Sequence, residues 1–158
     1  MRIKGSCRCN TVRFACDAYA PVPYLRCYCS ICRKTAGGGG YAVNLGAHAG
    51  SLAIAGGQGL SVYRARIDGE VSTGERNFCS RCGTFLWLFD PSWPALLHPF
   101  ASCIDTPLPK PPEVVHIMLR YRAPWVEVPR GKRHRHFDEY PDESLEEWHR
   151  RLGLLSQD

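Results

Sequence analysis

Seven of the nine cysteines in this 158-residue chain stand in tight groups: Cys7/Cys9, Cys27/Cys29/Cys32 and Cys79/Cys82. No other feature restricts the fold as much. Cysteine binds metal only as the thiolate, and thiolate-bound zinc favours four tetrahedral ligands. The total is odd, and Met1-Arg2-Ile3-Lys4-Gly5 carries no apolar core of an export signal. Clustering at knuckle spacing therefore favours metal over a disulfide framework. Cys16 and Cys103 stand alone and are expected to behave as small buried hydrophobes.

Cys79-Ser80-Arg81-Cys82-Gly83 is a zinc knuckle by spacing, with Gly83 permitting the tight turn that aims backbone N–H groups at sulfur. It needs a second half, and two pairings compete. Cys29/Cys32 with Cys79/Cys82 makes a ribbon and orphans three cysteines. Cys7/Cys9 with Cys79/Cys82 closes a four-sulfur site and leaves Cys27, Cys29 and Cys32 as a three-sulfur site with an open position. That second pairing strands none of the seven. An open position suits an incoming thiol, whose pKa coordination would depress. Arg33, Lys34 and the backbone of Gly37, Gly38, Gly39 and Gly40 follow the trio and are candidates to attract a carboxylate. Solvated cations and a flexible loop are the plainer alternatives.

The rest of the chain reads as short strands. Val12, Phe14 and Cys16 alternate with Thr11, Arg13 and Ala15, and Pro21 and Pro23 punctuate the connection that follows. Tyr24-Leu25-Arg26 is a short strand delivering the central cysteines, and one helical turn is expected from Ser30 to Ala36. Further strands are expected at Tyr41–Leu45, Ser51–Ile54, Leu60–Arg66, Glu75–Phe78, Thr84–Phe89 and Val114–Leu119, with an edge at Trp125-Val126. Glycine and aspartate punctuate them. The proline-rich segment from Pro91 to Pro112 should be mostly loop. One helix closes the chain: Asp142 or Ser144 can cap it, Ser144 standing in capping-box relation to Glu147, and Leu145, Trp148 and Leu152 share a face. A single mainly-β domain over residues 1–158, of short antiparallel strands with metal-binding turns, is the expectation.

Charge and hydropathy narrow the function. The formal charge is +5, and seven thiolates on two divalent ions would lower it by three, which is not a nucleic-acid footprint. The basic run Arg130-Gly131-Lys132-Arg133-His134-Arg135-His136 precedes an acidic stretch and reads as a solvated surface loop. The longest apolar runs, near Phe85–Phe89 and Val114–Leu119, fall far short of the ~20 residues a membrane span needs. A cytoplasmic location with no membrane or nucleic-acid partner is expected.

The chain resembles the glutathione-dependent formaldehyde-activating enzymes, a family that includes the centromere protein V-like proteins. The family motif G-x-C-x-C-G-x-V-x-[FY] appears as Gly5-Ser6-Cys7-Arg8-Cys9-Asn10-Thr11-Val12-Arg13-Phe14. C-H-C-S-x-C-R-K appears as Cys27-Tyr28-Cys29-Ser30-Ile31-Cys32-Arg33-Lys34, and F-C-x-x-C-G-T-x-L as Phe78-Cys79-Ser80-Arg81-Cys82-Gly83-Thr84-Phe85-Leu86. The resemblance implies an Mss4-like β-tent and the second cysteine pairing. Structural zinc would lie on Cys7, Cys9, Cys79 and Cys82, and catalytic zinc on Cys27, Cys29 and Cys32. It also implies a carbon–sulfur lyase resembling S-(hydroxymethyl)glutathione synthase, with glutathione or another small thiol as partner. The competing class is a non-catalytic zinc-stabilised interaction module using Arg130–His136 as its contact surface.

Two residues depart from the motifs. Asn10 replaces a glycine, which asparagine's tolerance of left-handed backbone accommodates. Tyr28 replaces a histidine, and a phenol with a pKa of about 10 shuttles protons poorly near neutrality. Tyr28 or a water is the expected proton carrier, and His116 a core-lining histidine.

Overall fold

The computed structural model describes residues 1–18 and 22–155. Pro21, expected to punctuate the first connection, lies outside them. The strands are β1 (Arg2–Ser6), β2 (Arg13–Asp17), β3 (Tyr24–Cys27), β4 (Ala42–Asn44), β5 (Ala47–His48), β6 (Ala53–Ala55), β7 (Leu60–Ile67), β8 (Glu70–Cys79), β9 (Phe85–Phe89), β10 (Leu96–Pro99), β11 (Val114–Ile117) and β12 (His134–His136). Helix α1 (Ser30–Ala36) follows β3, and α2 (Leu145–Arg151) lies near the C-terminus. The fold is mainly β. No helix among the described residues is long and apolar enough to cross a membrane.

Three sheets form, with strand orders β1-β2-β6, β5-β10-β9-β8-β7 and β12-β11-β3-β4. The first two are antiparallel, as the short punctuated strands foretold. The third differs: β11 runs parallel to both β3 and β12, and only β4 is antiparallel to β3. Its central strand shows why. All four residues of Val114–Ile117 are buried, as expected of a parallel strand covered on both faces.

Alternation builds the core. On β2, Phe14 and Cys16 point inward, and the Phe14 ring meets Trp87 edge-on at 5.0 Å. Ile3, Val12, Leu45, Leu86, Leu97 and Phe100 complete this centre, and Cys16 and Cys103 are buried in it as expected. The C-terminal helix follows its sequence signal. Ser144 accepts from the Glu147 amide at 3.2 Å, and the Glu147 carboxylate accepts from the Ser144 amide at 2.7 Å. Trp148 is buried, its indole N–H donating to Glu113 at 2.8 Å.

Two local expectations are corrected and one is refined. The proline-rich segment is mostly loop, as expected, but contains β10, which pairs with β5 and β9. Pro99 is tolerated there because it ends the strand. Trp125-Val126 is not a strand: Trp125 is exposed, while Val126 is buried beside Tyr28. The basic run is not simply a loop, since His134–His136 pairs with β11. There the His136 ring stacks on buried His116 at 4.8 Å between centroids, the ring planes nearly parallel at 7°.

Candidate metal centres and the cavity between the sheets

The cysteines gather into two separate groups. The sulfurs of Cys7, Cys9, Cys79 and Cys82 lie within 4.8 Å of one another, as do those of Cys27, Cys29 and Cys32. The ribbon pairing of Cys29/Cys32 with Cys79/Cys82 does not occur.

The four-sulfur group joins two turns. Between β1 and β2, the Val12 amide donates to Cys7 Sγ at 3.2 Å. Asn10 closes this turn at φ 59°, the left-handed conformation its side chain tolerates. Between β8 and β9, Gly83 at φ 73° donates its amide to the Cys79 carbonyl at 2.8 Å. The Arg8 amide bridges the turns by donating to Thr84 Oγ1 at 3.1 Å. Cys7 and Cys9 sulfurs stand 3.5 Å apart, and Cys9 and Cys79 sulfurs 3.8 Å. Sulfurs about 2.3 Å from a tetrahedral zinc stand about 3.8 Å apart, so the donor set fits that ion. Hydroxyls favour ionisation at the exposed corners. Thr84 holds the Cys82 thiol down at about 5, and Thr11 lowers that of Cys9. Desolvation pushes Cys79 up to about 11.

The three-sulfur group is built by the end of β3 and the start of α1. Cys27 is the last residue of β3, Cys29 caps α1, and Cys32 sits in its first turn. Cys29 Sγ accepts from the Cys32 amide at 3.3 Å. Crowding forces the thiols to share charge. Cys29, hydrogen-bonded by Cys27 and Cys32, is pulled down to about 2, while Cys27 is pushed far up by giving its proton to that bond. All three ionise together only beside a cation.

The two groups differ in what they face. Cys27, Cys29 and Cys32 all line a cavity of about 480 Å³, and none of the other four cysteines does. That volume is in the range of small-molecule sites. One wall is a cross-strand row of β8, β9 and β10: Arg76 opposite Leu88, and Leu88 opposite His98. A second row of the lining belongs to β4, β3 and β11: Asn44 opposite Leu25, and Leu25 opposite Val115. Tyr140, Leu145 and Trp148 close the rim. The His98 Nδ1 lies 3.2 Å from the Leu45 carbonyl, which only accepts, so Nδ1 holds the proton and Nε2 the lone pair. Burial lowers the pKa of His98 and keeps its ring neutral.

Other candidates from the sequence lie elsewhere. Arg33, Lys34, Gly37 and Gly38 follow the trio along α1 and its exit, but none lines the cavity. Gly37 has a backbone reason for its identity, because a Cβ there would sit 2.3 Å from the Tyr41 carbonyl oxygen. Tyr28 does not line the cavity either. It is fully buried, with its hydroxyl 2.8 Å from His116 Nδ1, and His116 Nε2 lies 2.9 Å from His134 Nδ1. Buried His116 is core-lining, as expected. Arg76, Asn44 and His98 escaped the sequence reading; each sits within a strand, with no motif to mark it.

Comparison with known proteins agrees with the cysteine geometry. The family profile "Glutathione-dependent formaldehyde-activating enzyme" matches residues 2–120. A Halomonas elongata protein named "Putative glutathione-dependent formaldehyde-activating enzyme" is 57% identical over 154 residues, covering 98% of each chain. The crystal structure of a Rhodobacter sphaeroides protein shares the fold with a TM-score of 0.50 at 24% identity, over 67% of this chain and 91% of that one. Three cysteine motifs in order, their two sulfur clusters and a relative matched end to end lead to one assignment: the chain belongs to the glutathione-dependent formaldehyde-activating enzyme family.

Proposed function

We propose that this chain is a zinc-dependent carbon–sulfur lyase acting on adducts of glutathione or a similar small thiol. In its synthetic direction it would join glutathione and formaldehyde as S-(hydroxymethyl)glutathione. The observation that carries the reading is the asymmetry between the sulfur groups: three sulfurs face a cavity, and four tie two turns together away from it. The four-cysteine set suits a structural zinc whose binding energy is folding energy. Bound by Cys27, Cys29 and Cys32, a zinc ion supplies Lewis acidity and an open position for a thiol sulfur.

The residues around the trio supply the rest. Leu25, Leu88, Val115 and Ile117 give the cavity an apolar lining, so charge developing on sulfur and oxygen is screened less than in water. In the addition, the S–C bond forms as the carbonyl π bond breaks, and the thiol proton must reach the carbonyl oxygen. His98 takes that proton at Nε2 and returns it to oxygen. This replaces the proton role first considered for Tyr28, whose hydroxyl is turned toward His116. None of the nine cysteines is disulfide-bonded, which suits a reducing cytoplasm, and the reading treats residues 1–158 as one domain.

The test is turnover of a panel of glutathione adducts and other thioethers by zinc-loaded protein, with Cys29→Ser as control. C–S cleavage or formation that disappears in Cys29→Ser, with the fold retained, is the expected result. No thiol-linked turnover with any member of the panel would refute the reading.

A further inference from the structure

Two buried polar side chains face the cavity without a protein partner. Arg76 and Asn44 are each 6% exposed, and Arg76 Nε and Asn44 Oδ1 have no hydrogen bond. Burying a guanidinium with no counter-ion is costly unless an anion comes to it. Asp90 lies close enough to feel the charge of Arg76 but gives it no hydrogen bond. Asp90 accepts from Thr73 Oγ1 at 2.9 Å and from the Ser92 amide at 2.9 Å. Glu143 is ion-paired with Arg135 and Arg151, and Asp142 is exposed at the rim. The other buried unpartnered nitrogens are Nε of Arg26 and Arg33, neither of which lines the cavity. Arg26 lies over the Tyr41 ring at 4.7 Å.

We propose that Arg76 anchors a substrate carboxylate and that Asn44 accepts an N–H from the same molecule, making the cavity selective for amino-acid-like or peptide-like thiols. The two residues come from different sheets, Arg76 on β8 and Asn44 on β4, and line the same cavity as the trio. A planar guanidinium presents paired donors that match a carboxylate, and an amide oxygen matches an ammonium or peptide N–H. Leu25, Leu88, Val115 and Ile117 in the same lining are apolar. A rival role is available, since Arg76 also lies close enough to Cys32 to act on its charge. A mere counter-charge for the sulfurs would serve every ligand equally. An anchor serves only those with a carboxylate.

This inference rests on the lyase reading for the thiol, but its test does not need turnover. S-methylglutathione and its dimethyl ester are titrated into the zinc-loaded full chain, followed by fluorescence of Trp93 and Trp148, which line the cavity. Wild type should bind the acid about 10- to 100-fold more tightly than the ester, the range of a charge-assisted contact. Arg76→Gln should bring the acid to the ester's affinity and leave the ester unchanged. Arg76→Lys, which keeps the charge and the zinc, should cost the acid several-fold and the ester nothing. Asn44→Ala should weaken both probes alike, because both keep the N–H groups. Equal weakening of both probes in Arg76→Gln and Arg76→Lys overturns the proposal, as does equal binding of acid and ester by wild type or binding of neither. Should Arg76→Gln lose zinc or fail to fold, the Lys variant decides. Intact discrimination without turnover sinks the lyase reading and keeps the anchor; turnover without discrimination does the reverse.

Discussion

Replacing Tyr28 by Phe separates structure from chemistry at the position where the chain departs most from its family motif. Tyr28 and His116 are both fully buried, and the phenol oxygen lies 2.8 Å from His116 Nδ1. Phenylalanine keeps the ring contacts, with Tyr41 at 5.2 Å and His116 at 5.7 Å between centroids. Only the hydrogen bond is lost, leaving a buried ring nitrogen without its partner, which costs about 1–2 kcal/mol. In a domain of this size each kcal/mol moves Tm by roughly 2–4 °C, so a fall of about 2–8 °C is expected. Thermal and urea denaturation of zinc-loaded Tyr28→Phe, with turnover on the same samples, measures both quantities. Stability should drop while zinc content and kcat/KM stay within about twofold of wild type. A kcat/KM loss of about 100-fold or more at unchanged stability would refute the placement, because that is the size of an acid–base contribution.

Three further outcomes follow from the same geometry. His98 must be neutral to accept a proton and its pKa is lowered, so kcat/KM should fall as pH drops through an apparent pKa below 6.5; His98→Asn should lose about 100-fold and this limb of the profile. Burial, then the charges of His136, Arg26 and His134, push His116 down to about 4. The unfolded chain therefore binds more protons between pH 6.5 and 4, so stability declines on acidification through that window, by on the order of 2 kcal/mol after screening. His116→Gln should flatten the slope in urea titrations. Ser144→Ala removes the cap of α2, whose Leu145 and Trp148 form the cavity rim. A cost of about 1 kcal/mol in denaturation and a raised KM are expected.

What the sequence disclosed depended on how local each signal is. Cysteine turns are set by neighbours two or three residues apart, so the C-x-C and C-x-x-C groups, Asn10 and Gly83 could be read directly. The Ser144/Glu147 capping box is equally local, and so is α2. β10 and β12 were hidden because proline and basic residues predict loops from composition, whereas pairing with β5 and β11 depends on strands well outside the local window. Arg76, Asn44 and His98 were hidden for a related reason. Each looks like an ordinary polar position in a strand, and only the approach of two sheets turns those positions toward a shared space. Tyr28 shows the opposite case: its place in a motif suggested chemistry, while β3 and its parallel neighbour β11 direct its hydroxyl to His116.

The central claim is that one sulfur set encloses its ion while the other leaves room for a guest, and zinc content of Cys29→Ser against wild type tests it most directly. The account predicts about two zinc ions per chain in wild type, one for each cluster, and about one in the folded variant, still held by Cys7, Cys9, Cys79 and Cys82. A variant that keeps both ions, or that loses both together, would contradict it.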